Sequence, residues 1–402
     1  MLKFKSLQKV TLRDISYLLN IILMFSLLID PTNVLFGIKN ISFVLFCIVS
    51  IKYADFKCIL IFIIFVMIYF VSLFAGIITN SEFDFLIAKG YLKAFLFLSY
   101  LFWVNDNYLR IFRFFYLFSL LIAIGEIIIY FLVLFFPFLT PLLISIFSDG
   151  TIDAVSTFAV SNRTFLGFEF LSIYFRTSSV CIISLSVSLF LFFRKKRLKY
   201  LLFSIILFLG LFFSGTRANI MSAILSFASI FMVHILYDKK NKLLFVCILI
   251  LISFFSVFLL LNLLQDSSEV SLNIKAGHFR SLNQLFSENA IRFFFIGTGP
   301  ASYFYSEGNR SMQAVVELTY LDLIRCYGFV FTLTIIICIL LPIYYVLVNK
   351  NYDKLLKSSL VIAYLLYLMI AGTNPLLVSS TGFMVICTMF YIGYNNILLE
   401  IG

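Results

Sequence analysis

Apolar runs of about membrane length alternate with short polar breaks along almost the whole chain. The apolar positions follow one another without the two-residue alternation of a transmembrane barrel. Continuous runs near 18 residues read as membrane helices. Twelve spans are predicted, at 15–30, 34–51, 58–79, 84–104, 111–136, 178–193, 200–214, 218–237, 243–264, 317–348, 355–372 and 382–399. The run at 317–348 is long and is expected to begin outside the bilayer. Two excursions interrupt the pattern, at 137–177 and 265–316. The predicted architecture is an all-α polytopic integral membrane protein, one membrane domain over 1–402 with two large extracytoplasmic loops. No repeat or low-complexity segment divides it.

Composition agrees with the pattern. Hydrophobic residues make up 62% of the chain and charged residues 12%, about half the charged share of a soluble domain. The net charge of +11 is read as cytoplasmic anchoring, and no nucleic-acid partner is expected. The seven cysteines lie in or beside apolar runs without a CxxC spacing, so neither a disulfide framework nor a zinc site is indicated. The start MLKFKSLQKVTLRD is basic without a cleavage site, and the first run reads as a retained anchor.

Charge sets the expected orientation. With the N-terminus inside and the spans alternating, nineteen Lys and Arg fall inside and seven outside, with Lys39, Lys89, Lys93 and Arg325 left within spans. Both termini are therefore expected in the cytoplasm. Fourteen of the nineteen inner cations are lysine, whereas six of the seven outer ones are arginine. Arginine's planar fork suits bidentate phosphate binding. The other reading is that these arginines only solvate loops.

The outer segments carry the candidate chemistry. Ser214-Gly215-Thr216-Arg217 opens the span at 218–237. Arg217 is either a snorkelling anchor or a cation at a cavity mouth, beside a helix N-terminus that also favours an anion. In the second loop, Phe279, Leu282, Leu285 and Phe286 follow helical spacing, which predicts a short interfacial helix carrying His278 and Arg280. Gly297-Thr298-Gly299-Pro300 then reads as a tight turn, since no βαβ unit or third glycine makes it a dinucleotide fingerprint. His278 is a candidate base or binding residue, and Arg280 a candidate substrate clamp. Glu317 either takes a proton from a sugar hydroxyl or complements the dipole of its helix, which also carries Tyr320. Asp322 and Arg325, three residues apart, are expected to pair. Arg163, Arg176, Arg292 and Arg310 are further outer cations suited to binding substrate. The aromatics around Arg163 and Arg176 face sugars or, by default in a chain with 52 phenylalanines, lipid. Asp149 and Asp153 make a weak metal signal, and no metal site is expected. Glu126 is flagged by its place inside a span.

With these residues in view, the chain resembles the Wzy-type O-antigen and capsule polymerases, within the superfamily that includes O-antigen ligases. The resemblance lies in the span layout and the arginine-bearing outer loops. It lies also in the ordered stretches Ser214-Gly215-Thr216-Arg217, GHFRSLNQLF followed by GTGPASYF, and ELTYLDLIRCYG. Fifteen residues separate Arg292 from Gly308, a spacing some of these polymerases carry in both outer loops; Arg163 and Arg176 lack it. Ligase relatives commonly place a histidine where this chain has Glu317, which favours a polymerase. The resemblance implies a metal- and cofactor-independent glycosyltransferase of the bacterial inner membrane. Its substrates would be oligosaccharide repeat units on undecaprenyl pyrophosphate in the lipid bilayer. A chain-length regulator and a flippase are the implied protein partners. Arg217 and Arg280 would stabilise the leaving pyrophosphate, with Glu317 as base. The alternatives are an O-antigen ligase, a polysaccharide flippase or transporter, and, on thinner grounds, a membrane O-acyltransferase.

Overall fold

A computed structural model describes residues 11–31, 33, 36–79, 82–147, 158–165, 168–237 and 270–401. The predicted span at 243–264 and the acids Asp149 and Asp153 lie outside the described residues. In chain order the longer helices are α1 (Leu12–Ile29), α2 (Lys39–Ser50), α3 (Ile59–Thr79), α4 (Phe85–Phe97) and α5 (Ile111–Phe135). They continue with α6 (Thr140–Phe147), α7 (Cys181–Lys195), α8 (Leu198–Phe213) and α9 (Arg217–Tyr237). After the second excursion's α10 (Val270–Glu288) and α11 (Ala290–Phe295) come α12 (Thr319–Val348), α13 (Lys354–Thr373) and α14 (Ser380–Tyr394). Among the described residues, eight helices are long and apolar enough to cross a membrane, and α8 and α14 are shorter apolar helices.

Burial runs opposite to that of a water-soluble protein. The segment Phe56–Thr79 has a mean hydropathy of 3.0 and is only 28% buried, whereas Ser178–Lys195 has 1.5 and is 78% buried. The most apolar helices therefore face outward, as lipid demands, and the serine-bearing α7 sits at the centre. Every residue of α14 from Thr381 to Gly393 is buried. Small and hydroxylated side chains suit such close helix contacts: Ser186 and Ser226 join α7 to α9 at 2.8 Å, and Tyr116 and Ser188 join α5 to α7 at 2.7 Å. Glu126 of α5 is 3% exposed and accepts a hydrogen bond from Ser178, so the flagged carboxyl lies inside the bundle.

The described parts of both excursions carry regular structure. The first contains an antiparallel hairpin, β1 (Phe158–Phe165) with β2 (Phe168–Phe175), in register from Phe158–Phe175 to Phe165–Phe168. No strand was expected there. The second contains α10, which extends the predicted interfacial helix, and a short hairpin of β3 (Phe304–Ser306) and β4 (Ser311–Gln313).

The long helix α12 is broken. Gly328 has φ 78° and ψ 164°, which divides α12 into a shorter N-terminal piece and a longer C-terminal one. The stretch Ile296-Gly297-Thr298-Gly299 fills the break. Thr298 N–H donates to the Arg325 carbonyl at 2.7 Å and Gly299 N–H to the Cys326 carbonyl at 3.0 Å. Carbonyls freed by the break thus find partners, as a buried backbone requires. Gly299 also lies against Gly76 of α3, where an added Cβ would meet the Gly76 Cα at 2.6 Å. The tight turn read from the sequence is therefore a wedge between α3 and α12, and it explains why the 317–348 run exceeds one membrane crossing.

A cation-lined cavity as candidate functional site

Several helix ends are tied together at one end of the bundle. Thr177, just after β2, donates to the Leu28 carbonyl of α1 at 2.7 Å, and Thr381 of α14 donates to the Leu27 carbonyl at 3.1 Å. Thr319 at the start of α12 donates to the Asn374 carbonyl beyond α13 at 2.7 Å. The ring of ends borders a half-open cavity of about 550 Å³. Its walls come from the α1–α2 connection, α4, the residue after β2, the N-terminal piece of α12 and the approach to α14.

Three cations on three elements line it: Lys39, Lys93 and Arg176. Lys39 begins α2, where its backbone N–H donates to Asn33 Oδ1 at 2.7 Å and its ammonium donates to the Pro31 carbonyl. Arg176 follows β2 directly, so the hairpin and the Thr177–Leu28 bond together fix its backbone. Lys93 projects from α4 one turn beyond Gly90, where no atom stands within 4 Å of an added Cβ. Arg176, Lys93 and the carboxylate of Asp30 all lie within electrostatic reach of Lys39. Asp30 offsets part of the mutual repulsion of these three cations and Asp322 is paired with Arg325, so an excess of positive charge remains at the cavity, which an anion would offset. The wall of α12 contributes Asp322, and α4 contributes Tyr91.

Asp322 pairs with Arg325 as the spacing predicts, Nε to Oδ1 at 2.7 Å. Arg325 has 0% exposure. Its remaining nitrogens donate to the Ser302 carbonyl at 2.7 Å, the Ser302 hydroxyl at 3.0 Å and the Ala314 carbonyl at 2.7 Å, and the guanidinium lies 4.9 Å from the Phe304 ring centroid. One buried side chain therefore fastens the second excursion to α12 beside the cavity.

Of the outer residues singled out from the sequence, Arg176 lines this cavity; the others are dispersed. Arg217 opens α9 beside Gly215, which packs on Ser172 of β2, and is half-buried. Arg280 is largely exposed, 3.5 Å from Glu307, and Glu317 is 3.3 Å from Lys275. His278 is 2% exposed, with Nδ1 2.5 Å from the Ser306 hydroxyl, and joins α10 to β3. Burial lowers its pKa, against the opposing charges of Glu317 and Asp322. Arg292 donates to the Gly297 carbonyl at 3.0 Å and to Thr79. Arg310 is exposed in the turn between β3 and β4 at φ 51°. Arg163 lies on β1 opposite Phe170 in register. Tyr320 donates to the Leu368 carbonyl at 2.8 Å and borders an apolar groove between α12 and α13.

In the sequence, Lys39 and Lys93 read as charges left within spans. A signal was present: an ionisable residue inside a span is a functional candidate by default. Their convergence with Arg176 is a tertiary fact that spacing along the chain does not encode. In comparisons with protein-family models, curated proteins and solved structures, nothing matched this chain. The chemistry of the cavity accordingly rests on its own residues.

Proposed function

We propose that this chain polymerises oligosaccharide repeat units carried on undecaprenyl pyrophosphate into O-antigen or capsular polysaccharide, at the outer face of the bacterial cytoplasmic membrane. Twelve spans with both termini inside belong to the same reading, as does an enzyme that needs neither metal nor cofactor. The observation that supports it best is the convergence of Lys39, Lys93 and Arg176 on one cavity of about 550 Å³ among helix ends. In such a transfer, a hydroxyl of the acceptor attacks the anomeric carbon of the donor and the lipid pyrophosphate leaves. Negative charge grows on the leaving group, and cations fixed in advance stabilise it. On this reading the clamp falls to the cavity cations, while Arg280 stands exposed beside Glu307 and Arg217 lies half-buried at the start of α9, outside the cavity lining.

One observation also suits a second reading. Lys39 and Lys93 sit on helices, where a flippase for an anionic lipid would place its cations. Surface glycan from a strain lacking the gene separates the readings. Single repeat units in the null strain, with a ladder restored by the wild-type gene and lost with a Lys93→Gln, Arg176→Gln gene, support the polymerase. Repeat units trapped on the cytoplasmic side support the flippase, and free lipid-linked polymer supports a ligase.

A further inference from the structure

Asp322 is the one carboxylate lining the cavity among the described residues. Its side chain keeps 8% exposure while that of Arg325 has none. The bond from Arg325 Nε holds Oδ1, and Arg325 is itself held by Ser302 and Ala314, so the acid has a fixed position. Tyr91 of α4 lies within its electrostatic reach. The other acids near this end of the bundle are differently placed: Asp30, beside Lys39, accepts a hydrogen bond from the Phe36 N–H at 2.9 Å and does not line the cavity. Glu317 bridges Lys275 and does not line the cavity, and Glu126 is enclosed in the helix core.

We infer that Asp322 is the catalytic residue that accepts the proton of the attacking sugar hydroxyl; this rests on the polymerase reading above. The hydroxyl oxygen forms a bond to the donor's anomeric carbon as the bond from that carbon to the pyrophosphate oxygen breaks. The electron pair leaves with the pyrophosphate, toward Lys39, Lys93 and Arg176, and the hydroxyl proton passes to the Asp322 carboxylate. Charge is thereby divided in the way the cavity divides it, with the acid on α12 and the cations on three other elements. Arg325 acts as a positioning residue. Its fully engaged guanidinium fixes the carboxylate without needing to reach the substrate.

The test uses the purified full-length protein in liposomes supplied with lipid-linked repeat units. Asp322→Asn retains an oxygen to accept from Arg325. Its elongation rate is expected to fall by about 100-fold or more, while binding of the lipid-linked donor, read by thermal shift, stays at the wild-type level. Azide, an anionic nucleophile with no proton to lose, is expected to restore release of lipid pyrophosphate in this variant, with formation of a glycosyl azide. Elongation by Asp322→Asn within a few-fold of wild type overturns the inference, as does azide failing to act on variant that binds donor. If Asp322→Asn does not fold, Asp322→Glu keeps the charge and shifts the oxygens by one methylene. Its kcat is then expected to fall with an unchanged KM for the donor, and a rise in KM alone overturns the inference. A wild-type protein that elongates nothing overturns the polymerase reading itself, and the inference with it.

Discussion

Gly297 and Gly328 meet backbone to backbone: a Cβ on Gly297 would stand 2.7 Å from the Gly328 nitrogen, and one on Gly328 would stand 2.5 Å from the Ile296 nitrogen. Both have positive φ, 73° and 78°. The second excursion enters the break in α12 at this point, so the cavity wall formed by the N-terminal piece of α12 depends on two residues that lack side chains.

Gly297→Ala and Gly328→Ala are each expected to destabilise the protein by about 2 kcal/mol or more, from overpacking and a left-handed backbone together. Thermal unfolding in detergent measures this. Gly125→Ala is the control, because nothing stands within 4 Å of its added Cβ. That helical substitution is expected to be neutral or stabilising by up to about 1 kcal/mol. Equal losses at all three positions would contradict the wedge.

Arg325→Met is expected to be among the most damaging single substitutions in the chain. It leaves Asp322 without its cation and the carbonyls of Ser302 and Ala314 without a donor. Breaking a buried pair of this kind typically costs about 3–5 kcal/mol. Limited proteolysis of the 265–316 excursion reads the same event locally, with faster cleavage expected in the variant than in wild type.

Arg280→Gln, by contrast, is expected to change stability by less than about 1 kcal/mol, since its partner Glu307 is an exposed one at 3.5 Å. On the proposed function it is also expected to spare donor affinity. Lys93→Gln and Arg176→Gln are each expected to weaken that affinity by about tenfold, the scale of one charge-assisted hydrogen bond. Titration of lipid pyrophosphate into the purified variants provides the comparison. A larger loss with Arg280→Gln than with the cavity variants would return the clamp to the loop.

His278 predicts a pH dependence of stability. Burial lowers its pKa in the folded protein, so the unfolded chain, with a pKa of about 6.5, binds the proton more readily. The neutral ring is compatible with the fold above that pH, and stability falls as pH drops below it toward the folded value. Unfolding temperatures measured at pH 7.5 and pH 5 are expected to differ less in His278→Asn than in wild type.

Hydropathy alone made most of the helical architecture legible. Runs such as 58–79 and 111–136 return as α3 and α5 nearly residue for residue, because a helix facing lipid must be continuously apolar. The hairpin of β1 and β2 was not legible. Its segments FAVSNRTF and FEFLSIYF are rich in aromatic residues like the rest of the chain, and nothing local marks their pairing. The break in α12 was half legible. The Gly297-Thr298-Gly299 turn stood out, but its use as a partner for the Arg325 and Cys326 carbonyls depends on residues over twenty positions away. Arg176 was legible as an outer arginine. Hydropathy leaves Lys39 and Lys93 within spans, and only the fold brings them to the same cavity.

On the proposed function, this cavity holds the leaving pyrophosphate during glycan transfer. The most direct test of this role is the amount of undecaprenyl pyrophosphate released per glycosidic bond formed, by wild type and by Lys93→Gln, Arg176→Gln protein in liposomes with lipid-linked repeat units. One lipid pyrophosphate per bond in wild type, and at least a tenfold slower release in the double variant with an unchanged fold, is the predicted result. Equal release by the two proteins would exclude the cavity as the pyrophosphate site.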